Sequence, residues 1–490
     1  MTNLHEHTAI ELLQKLSSGE ITPVGITEHY LDRIKKIDSK INAITFVNEK
    51  GALEQANKIE KELNSKKSKN ILLNGLPILV KECISTSGMQ TTCSSKILEG
   101  YIPPFDAYVV NRLKKAGTVI IGKSNMDEFA MGSSTESSAF GPTYNPWDVK
   151  RVPGGSSGGS AAAIAAREVP LSLGSDTGGS IRCPASYCGV SGIKATYGRV
   201  SRFGLVAYAN SLEQIGPICV TARDCALILE IIAGKDPMDS TTVDVVVDKY
   251  SEIDNLDLKG MKIGIPDEFF SAGLKKDVER SVNESINHLE GLGAAIDKVS
   301  LPNIKYALPT YYLIAMCEAS SNLARFDGVR YGFRAESGGN FDTAFSETRG
   351  NGFGPEVRRR IILGTYALSA GYFDMFYMKA LKVRTLIQED FKRALNNFDL
   401  LVGPTMPSTA FEIGTKVDDP LTMYLEDILT VPINLAGVPS MSVPCGFGDD
   451  GMPIGLQLMG NFYKETDVLR AAMALEEKLK LYKKIPPVGA

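Results

Sequence analysis

Residues 153–194 read PGGSSGGSAAAIAAREVPLSLGSDTGGSIRCPASYCGVSGIK, and both the fold and the chemistry turn on this stretch. Two glycine-serine knots, 154–160 and 178–180, flank an alanine-rich segment and a short apolar one. Glycine reaches backbone conformations closed to other residues and lets the chain approach a ligand closely. The segment AAAIAARE is a strong helix former, with Ser160 at the expected cap position. VPLSLGS follows as a continuous apolar run, which predicts a buried strand. Folded back on itself, helix plus strand gathers several hydroxyls and backbone N–H groups in one place.

A flexible Gly/Ser linker would continue into polar, low-complexity chain, and this one does not. A phosphate-binding loop of the Walker type needs a lysine after its last glycine, and none follows Gly158–Gly159. Both readings are weakly supported, and the serines offer hydroxyls that can act as nucleophile or relay. The chain holds four histidines, His5, His7, His29 and His288, none beside a serine-rich turn, which argues against a Ser-His-Asp arrangement. A serine without histidine needs another base, and a desolvated neutral lysine can serve. Strand-like runs deliver three lysines at their ends: LPILV leads to Lys81, TVIIG to Lys123, and VSGIK closes on Lys194. Pattern alone does not choose among them.

Residues 153–194 resemble the signature of the amidase family, whose members use a Ser-Ser-Lys triad. Matched motif to motif, the resemblance makes Ser180 the nucleophile and Lys81 the base. Ser156 becomes the bridging serine, preceded by a cis Gly155–Ser156 peptide. The N–H groups of Thr177, Gly178, Gly179 and Ser180 are then available for an oxyanion hole. The likeness extends over nearly the whole chain. In GRVSRFGLVAYANSLEQIGP (198–217), EASSNLARFDGVRYG (318–332) and LGTYALSAGYFD (363–374) it is to the A subunits of tRNA-dependent amidotransferases rather than to amidases at large. It implies glutamine as substrate, with Arg360 on the α-carboxylate, Asp427 on the α-ammonium and Tyr311 assisting. It also implies B and C partner subunits that use ATP and Mg to amidate mischarged Glu-tRNA(Gln) and/or Asp-tRNA(Asn), a cytoplasmic setting, and no cofactor or metal in this chain. Relatives carry Lys-Asp-Asn where this chain has Lys81-Glu82-Cys83. The competing readings are a stand-alone amidase acting on another carboxamide, and a scaffold without activity; retention of Lys81, Ser156 and Ser180 disfavours the latter.

Composition agrees with that setting. The 490 residues are 43% hydrophobic and 22% charged, with net charge −4, an ordinary globular balance. No domain-wide basic field is available to grip nucleic acid, so tRNA is expected on a partner. The eight cysteines form no C-x-x-C pair and lie in apolar or glycine-rich contexts, as reduced buried thiols do. The N-terminus lacks a signal-length apolar core, and no apolar run approaches the ~18 residues of a membrane span.

The expected organisation is one α/β domain: a helical N-terminal segment, 1–70, and a catalytic α/β core, 71–490. Three helices are predicted over 8–65, with caps at Thr8 and Thr22. Asp106 is expected to cap a helix over 107–117, and Thr221 another ending at Gly234. A second strand–helix–strand series runs from 260 to about 300. Further helices fall at 306–326, 354–397 and 464–481, and strands at 399–405, 440–447 and 453–460. Strand–helix alternation predicts a central mixed, largely parallel sheet with helices on both faces.

Overall fold

The computed structural model describes residues 3–65, 72–270, 273–336 and 339–490. Its strands are β1 (Ile44–Val47), β2 (Pro77–Lys81), β3 (Val119–Ser124), β4 (Leu171–Asp176), β5 (Ser191–Lys194), β6 (Gln214–Cys219), β7 (Lys262–Pro266), β8 (Ala295–Val299), β9 (Leu400–Pro404), β10 (Ser440–Phe447) and β11 (Pro453–Gly460). They make one eleven-stranded sheet in the order β1-β3-β2-β4-β6-β5-β10-β11-β9-β7-β8. Every residue of β2, β3, β4, β5, β6, β9 and β11 is buried. Strands without a solvent face are covered on both sides, which explains their unbroken apolar runs.

The sheet is mixed but not largely parallel. Among the described residues, β2–β3, β2–β4, β7–β8 and β7–β9 pair parallel, while six other pairings are antiparallel. A tight turn can only reverse a strand, whereas a parallel return needs a crossover. The short 448–452 connection therefore makes β10–β11 a hairpin. The 260–300 series supplies β7 and β8 to one margin of the sheet, where exposure begins.

The N-terminal segment is not purely helical. Helices Ala9–Ser18, Pro23–Ile41 and Glu49–Asn64 form as expected, the first with a capping box between Thr8 and Glu11, the second with Thr22 as cap and proline in its first turn. Between them ITFV pairs antiparallel with β3 as edge strand β1. Four residues are too few to show a period, and a left-handed Asn42 (φ 50°) ends the preceding helix. The 70/71 boundary lies outside the described residues.

Two caps differ from expectation. Asp106 accepts from the Ser87 N–H at 2.8 Å and pairs with Lys114 at 2.7 Å, and the helix Tyr108–Lys115 is preceded by Ala107. Ser160 lies inside the helix Gly158–Ala165, which begins after Ser157. Its hydroxyl bonds Ser124 at 2.7 Å and donates to the Leu173 carbonyl at 3.0 Å, tying that helix to β3 and β4. Helix Phe341–Gly352 was not foreseen, and the helix expected over 306–326 is Ala307–Asn322.

Helices Ala307–Asn322 and Pro355–Leu368 pack closely because Gly364 lets the second approach the Met316 carbonyl; a Cβ there would collide with it. Gly364→Ala gains roughly 1 kcal/mol of helix propensity but forces a backbone shift costing about 1–3 kcal/mol. Thermal unfolding is expected to show a lower midpoint for the variant; an unchanged or raised midpoint would mean the helix pair separates without strain.

Candidate active site

β2 ends on Lys81, and parallel pairing with β3 and β4 buries the residue completely. Its Nζ lies 2.8 Å from Ser156 Oγ, 2.8 Å from Ser157 Oγ and 3.0 Å from Ser175 Oγ, with the Ser175 carbonyl at 3.4 Å. Among the described residues no carboxylate pairs with it. Burial pulls the Lys81 pKa below its ordinary value, and the more distant Cys83, Asp127 and Asp176 oppose this only in part. A neutral amine surrounded by hydroxyls can take a proton, which an ion-paired ammonium cannot.

Lys123 and Lys194 are equally buried but go elsewhere. Lys123 donates to the Ile84 carbonyl and the Thr86 and Thr91 hydroxyls. Lys194 donates to the Ala195 and Val438 carbonyls. Geometry thus separates three lysines that pattern could not.

The serine loop is assembled by backbone contacts. The Gly155–Ser156 peptide is cis. A Cβ at Gly155 would strike the Asp127 carboxylate, so only glycine fits there. The Ser157 N–H donates to the Ser180 carbonyl at 3.1 Å, joining the two glycine-serine knots. The Ser157 hydroxyl accepts from the Ser175 N–H at 3.2 Å and donates to the Ser175 carbonyl at 3.1 Å, fastening the loop to β4. Among the described residues the Ser180 hydroxyl has no hydrogen-bond partner, Ser156 included, and the residue is 7% exposed.

Asp176, at the end of β4, organises the turn that follows. Its carboxylate accepts the N–H groups of Gly179 at 2.9 Å and Ile181 at 3.1 Å, the Arg182 guanidinium at 3.1 Å and the Asn434 amide at 2.9 Å. Burial pushes its pKa up, but Arg182, Lys194 and Asn434 outweigh that and hold it at about 2. One expected oxyanion donor is therefore already engaged: the Gly179 N–H faces Asp176. The N–H groups of Thr177, Gly178 and Ser180 have no partner among the described residues. Gly178 is held from both sides, its carbonyl accepting from Thr430 Oγ1 at 2.6 Å. The Tyr311 ring presses so close that a Cβ on Gly178 would sit 2.5 Å from Tyr311 Cζ.

A cavity of about 340 Å³ opens nearby, lined by Ser133, Glu356, Arg360 and Tyr424 among others. Arg360 is buried. Its Nε donates to Glu356 Oε1 at 2.7 Å and its Nη1 to the Tyr208 hydroxyl at 2.7 Å. The rings of Tyr208, Tyr312 and Tyr424 surround the guanidinium, with centroids 5.7, 5.3 and 5.3 Å away. Asp427 is buried too, accepting from Ser133 at 2.7 Å and Tyr312 at 2.7 Å. Burial raises its pKa to about 6, against the opposing pull of Tyr312, Ser133 and Arg360. A separate cavity of about 560 Å³ is lined by Tyr197, Arg202, Glu318 and Tyr377, among others, and by none of these groups.

Several residues escaped the sequence reading. Ser157 stood inside the quoted knot, and Glu356 is spaced four residues from Arg360 on one helix, so both carried a signal. Ser175 stood inside the same quoted stretch and Tyr208 inside 198–217 without anything to mark them, and Ser133 and Asn434 lay outside both; all four meet the site only through tertiary contacts. The Glu82-Cys83 departure is accommodated locally. Glu82 accepts from Thr45 and Thr92 hydroxyls at 2.5 and 3.0 Å and from the Thr92 N–H at 2.7 Å. The Cys83 sulfur contacts Ser175 Oγ at 3.6 Å. All eight cysteines are free and buried. Among the described residues no group of three or more His, Cys, Asp or Glu is arranged to hold a metal, and no helix is long and apolar enough to cross a membrane.

A family model described as Amidase matches residues 25–469. The A subunit of the glutamyl-tRNA(Gln) amidotransferase of Methanosarcina mazei is 59% identical over 462 residues, 94% of this chain and 95% of that protein. Its namesake from Geobacillus thermodenitrificans is 53% identical over 484 residues, 99% of each. The crystal structure of the glutamyl-tRNA(Gln) amidotransferase A subunit from Thermotoga maritima superimposes with a TM-score of 0.83 at 44% identity, covering 100% of this chain and 99% of that one.

Lys81 makes stability depend on pH in a definite direction. Its folded pKa lies below the ordinary 10.5, so between the two values the unfolded chain binds more protons than the folded one. Stability contributed at this position therefore rises with pH across that window and is complete above 10.5. Denaturant unfolding over a pH series is expected to rise more steeply for the wild type than for Lys81→Met. Parallel curves would mean that Lys81 titrates in the fold as it does in the open chain.

Proposed function

The chain belongs to the amidase family, and on that premise we propose that it is the glutamine-hydrolysing A subunit of a tRNA-dependent amidotransferase. The observation that carries the reading is the buried, unpaired Lys81 amine at 2.8 Å from Ser156 Oγ, close to the serine-bearing turn that ends in Ser180. Support for glutamine comes from Arg360, a buried cation in the cavity lining, and Asp427, a buried carboxylate held by the cavity-lining Ser133; the two are complementary to the charges of an α-amino acid. The names and near-complete coverage of its relatives support the role within a larger complex.

In this mechanism Ser180 Oγ attacks the amide carbon of glutamine. Its proton passes to Ser156 as the Ser156 proton passes to Lys81. Such proton transfer contributes on the order of 10²–10⁴-fold. The developing oxyanion meets the N–H groups of Thr177, Gly178 and Ser180, each worth about 3–4 kcal/mol in comparable sites. The proton returns through Ser156 to the departing nitrogen, ammonia leaves, and a γ-glutamyl ester remains on Ser180. Water, activated by the same relay, cleaves the ester to glutamate. Arg360 holds the α-carboxylate through the N–H groups its neighbours leave open. Asp427 takes the α-ammonium on the lone pairs that Ser133 and Tyr312 do not use, and Tyr311 packs between them and the oxyanion loop. Ammonia passes to the B and C subunits, which in the cytoplasm bind mischarged tRNA and use ATP with Mg to activate its Glu or Asp. A stand-alone amidase would need the same triad and oxyanion donors but no partner subunits, tRNA or ATP.

Division of labour supplies the test. Ser180→Ala exchanges a hydroxyl for a hydrogen in a small-residue turn, so the assembled complex should stay intact. It is expected to lose amidation of mischarged tRNA with glutamine as donor and to regain it with ammonium salt and ATP. An intact mutant complex that also fails with ammonium, where the wild type succeeds, would overturn the assignment.

Asp427 adds a pH signature. Only its ionised form holds an ammonium, and its pKa in the free protein is about 6. The KM for glutamine is expected to climb as pH falls through that value, with Asp427→Asn showing a high, pH-flat KM. A wild-type KM that is flat through this range would remove Asp427 from the substrate site.

A further inference from the structure

Helix Pro355–Leu368, which carries Arg360 in its second turn, has no local cap. Its N-cap residue is Gly354, without a side chain, and Val357 at the third position cannot reach back as the acid of a capping box does. The missing acid comes from far along the chain. Glu128, 226 residues away, takes the Gly354 N–H on both carboxylate oxygens, at 2.9 and 3.1 Å. The Ser95 hydroxyl donates to the same carboxylate, and a Cβ on Gly354 would strike its Oε2. Next to it the Phe129 ring packs against Phe326 and Phe353, with centroids 5.1 and 5.7 Å away. The preceding residue holds the serine loop instead. The Asp127 N–H donates to the Ser156 carbonyl at 3.2 Å, and the Asp127 carboxylate accepts from the Thr135 N–H and the Ser137 hydroxyl, each at 2.9 Å. Thr135 grips the same loop, its hydroxyl donating to the Gly154 carbonyl at 2.9 Å and accepting from the Gly158 N–H at 3.1 Å. Phe129 and Ala130 both have left-handed backbone, φ 50° and 62°, a strained conformation that persists only where the surroundings impose it.

We propose that Glu128 is a positioning residue: it fixes the N-terminal end of the Arg360 helix to the turn that Asp127 fastens to the Ser156 loop, and so sets where Arg360 stands relative to the serines. The proposal rests on the reading of Arg360 as the α-carboxylate site. Two adjacent residues on one strained turn leave little play between the two parts of the site. The far half of the helix is held separately, by the close packing at Gly364. Loss of Glu128 therefore frees the first two turns, Glu356 and Arg360 among them, rather than the whole helix. A substrate carboxylate then finds its guanidinium out of place while the serine loop keeps its own contacts, and the loss falls on binding. Glu128 also lines the cavity, which offers its carboxylate a rival role as a direct ligand of the substrate's ammonium. The two roles differ in what they need: the clasp needs an acceptor, the ammonium a charge.

Steady-state ammonia release from glutamine is measured on the assembled complex, beside its thermal unfolding. Glu128→Ala is expected to raise KM by on the order of 10- to 100-fold, with kcat close to wild type. Glu128→Gln keeps an oxygen for the Gly354 N–H and an N–H for Ser95, so its KM should stay near the wild-type value. Arg360→Lys should raise KM by itself, and adding Glu128→Ala to it should cost little more, because the two changes remove one effect. An unchanged KM in Glu128→Ala overturns the proposal. So do a loss confined to kcat, equal losses in the Gln and Ala variants, and losses that add to those of Arg360→Lys. In each of those cases an impaired Arg360→Lys leaves the carboxylate assignment standing. An Arg360→Lys complex with wild-type KM overturns that assignment and the proposal with it. Where Glu128→Ala melts early, Gly354→Ala pushes the helix end off the same carboxylate from the other side and is read in its place, a wild-type KM there overturning the proposal.

Discussion

The buried ion pair between Asp176 and Arg182 governs the rest of the site. Both side chains are fully excluded from water, and each is satisfied by further partners: Asn434 and backbone N–H groups for the acid; Gln457, Thr430 and Asn434 for the base. A pair so placed contributes little net stability, but loss of one partner leaves an uncompensated charge at a cost of about 3–5 kcal/mol. The consequence is conformational. Residues 176–182 have one arrangement that satisfies both charges, and that arrangement carries Ser180 and the N–H groups around it.

The same balance of burial against partners explains how two cations in the chain's interior differ so sharply. Lys81 is surrounded by hydroxyls and has no acid partner among the described residues, so burial favours its neutral form. Arg360 has Glu356 at 2.7 Å and three tyrosine rings around it, and a guanidinium keeps its proton under such conditions. One group is tuned to accept a proton and the other to hold a charge. Neither behaviour follows from residue type alone.

Much of this was legible in the chain's own pattern. The apolar runs ending in Lys81, Lys123 and Lys194 identified β2, β3 and β5, because a strand buried on both faces is apolar at every position. Thr8, Thr22 and Thr221 marked helix starts through local side-chain bonds. The failures have equally local causes. β1 is too short for a period, Asp106 was drawn away by Lys114 and the Ser87 N–H, and Ser160 turned inward to Ser124 and Leu173. The antiparallel majority of strand pairings was hidden because strand direction depends on how connections fold back.

Read alone, the sequence established which groups this protein possesses: a serine-bearing glycine turn after a buried strand, a second serine in a preceding knot, three lysines at strand ends, and an arginine and an aspartate in distant helical segments. The serines and lysines follow from composition, period and spacing, which are properties of short windows; the arginine and the aspartate were marked by the family resemblance alone. Which of these groups meet was left to the folded chain. Parallel pairing of β2 with β4 selected Lys81 by pointing that strand end at Ser156 and Ser175. The turn after β4 engaged the Gly179 N–H with Asp176. Packing drew Tyr208 from a loop between β5 and β6 into contact with Arg360 on a helix 152 residues away. Hydrogen bonds of under 3 Å are fixed by the packing of a whole sheet and its helices, and no window of sequence contains that information.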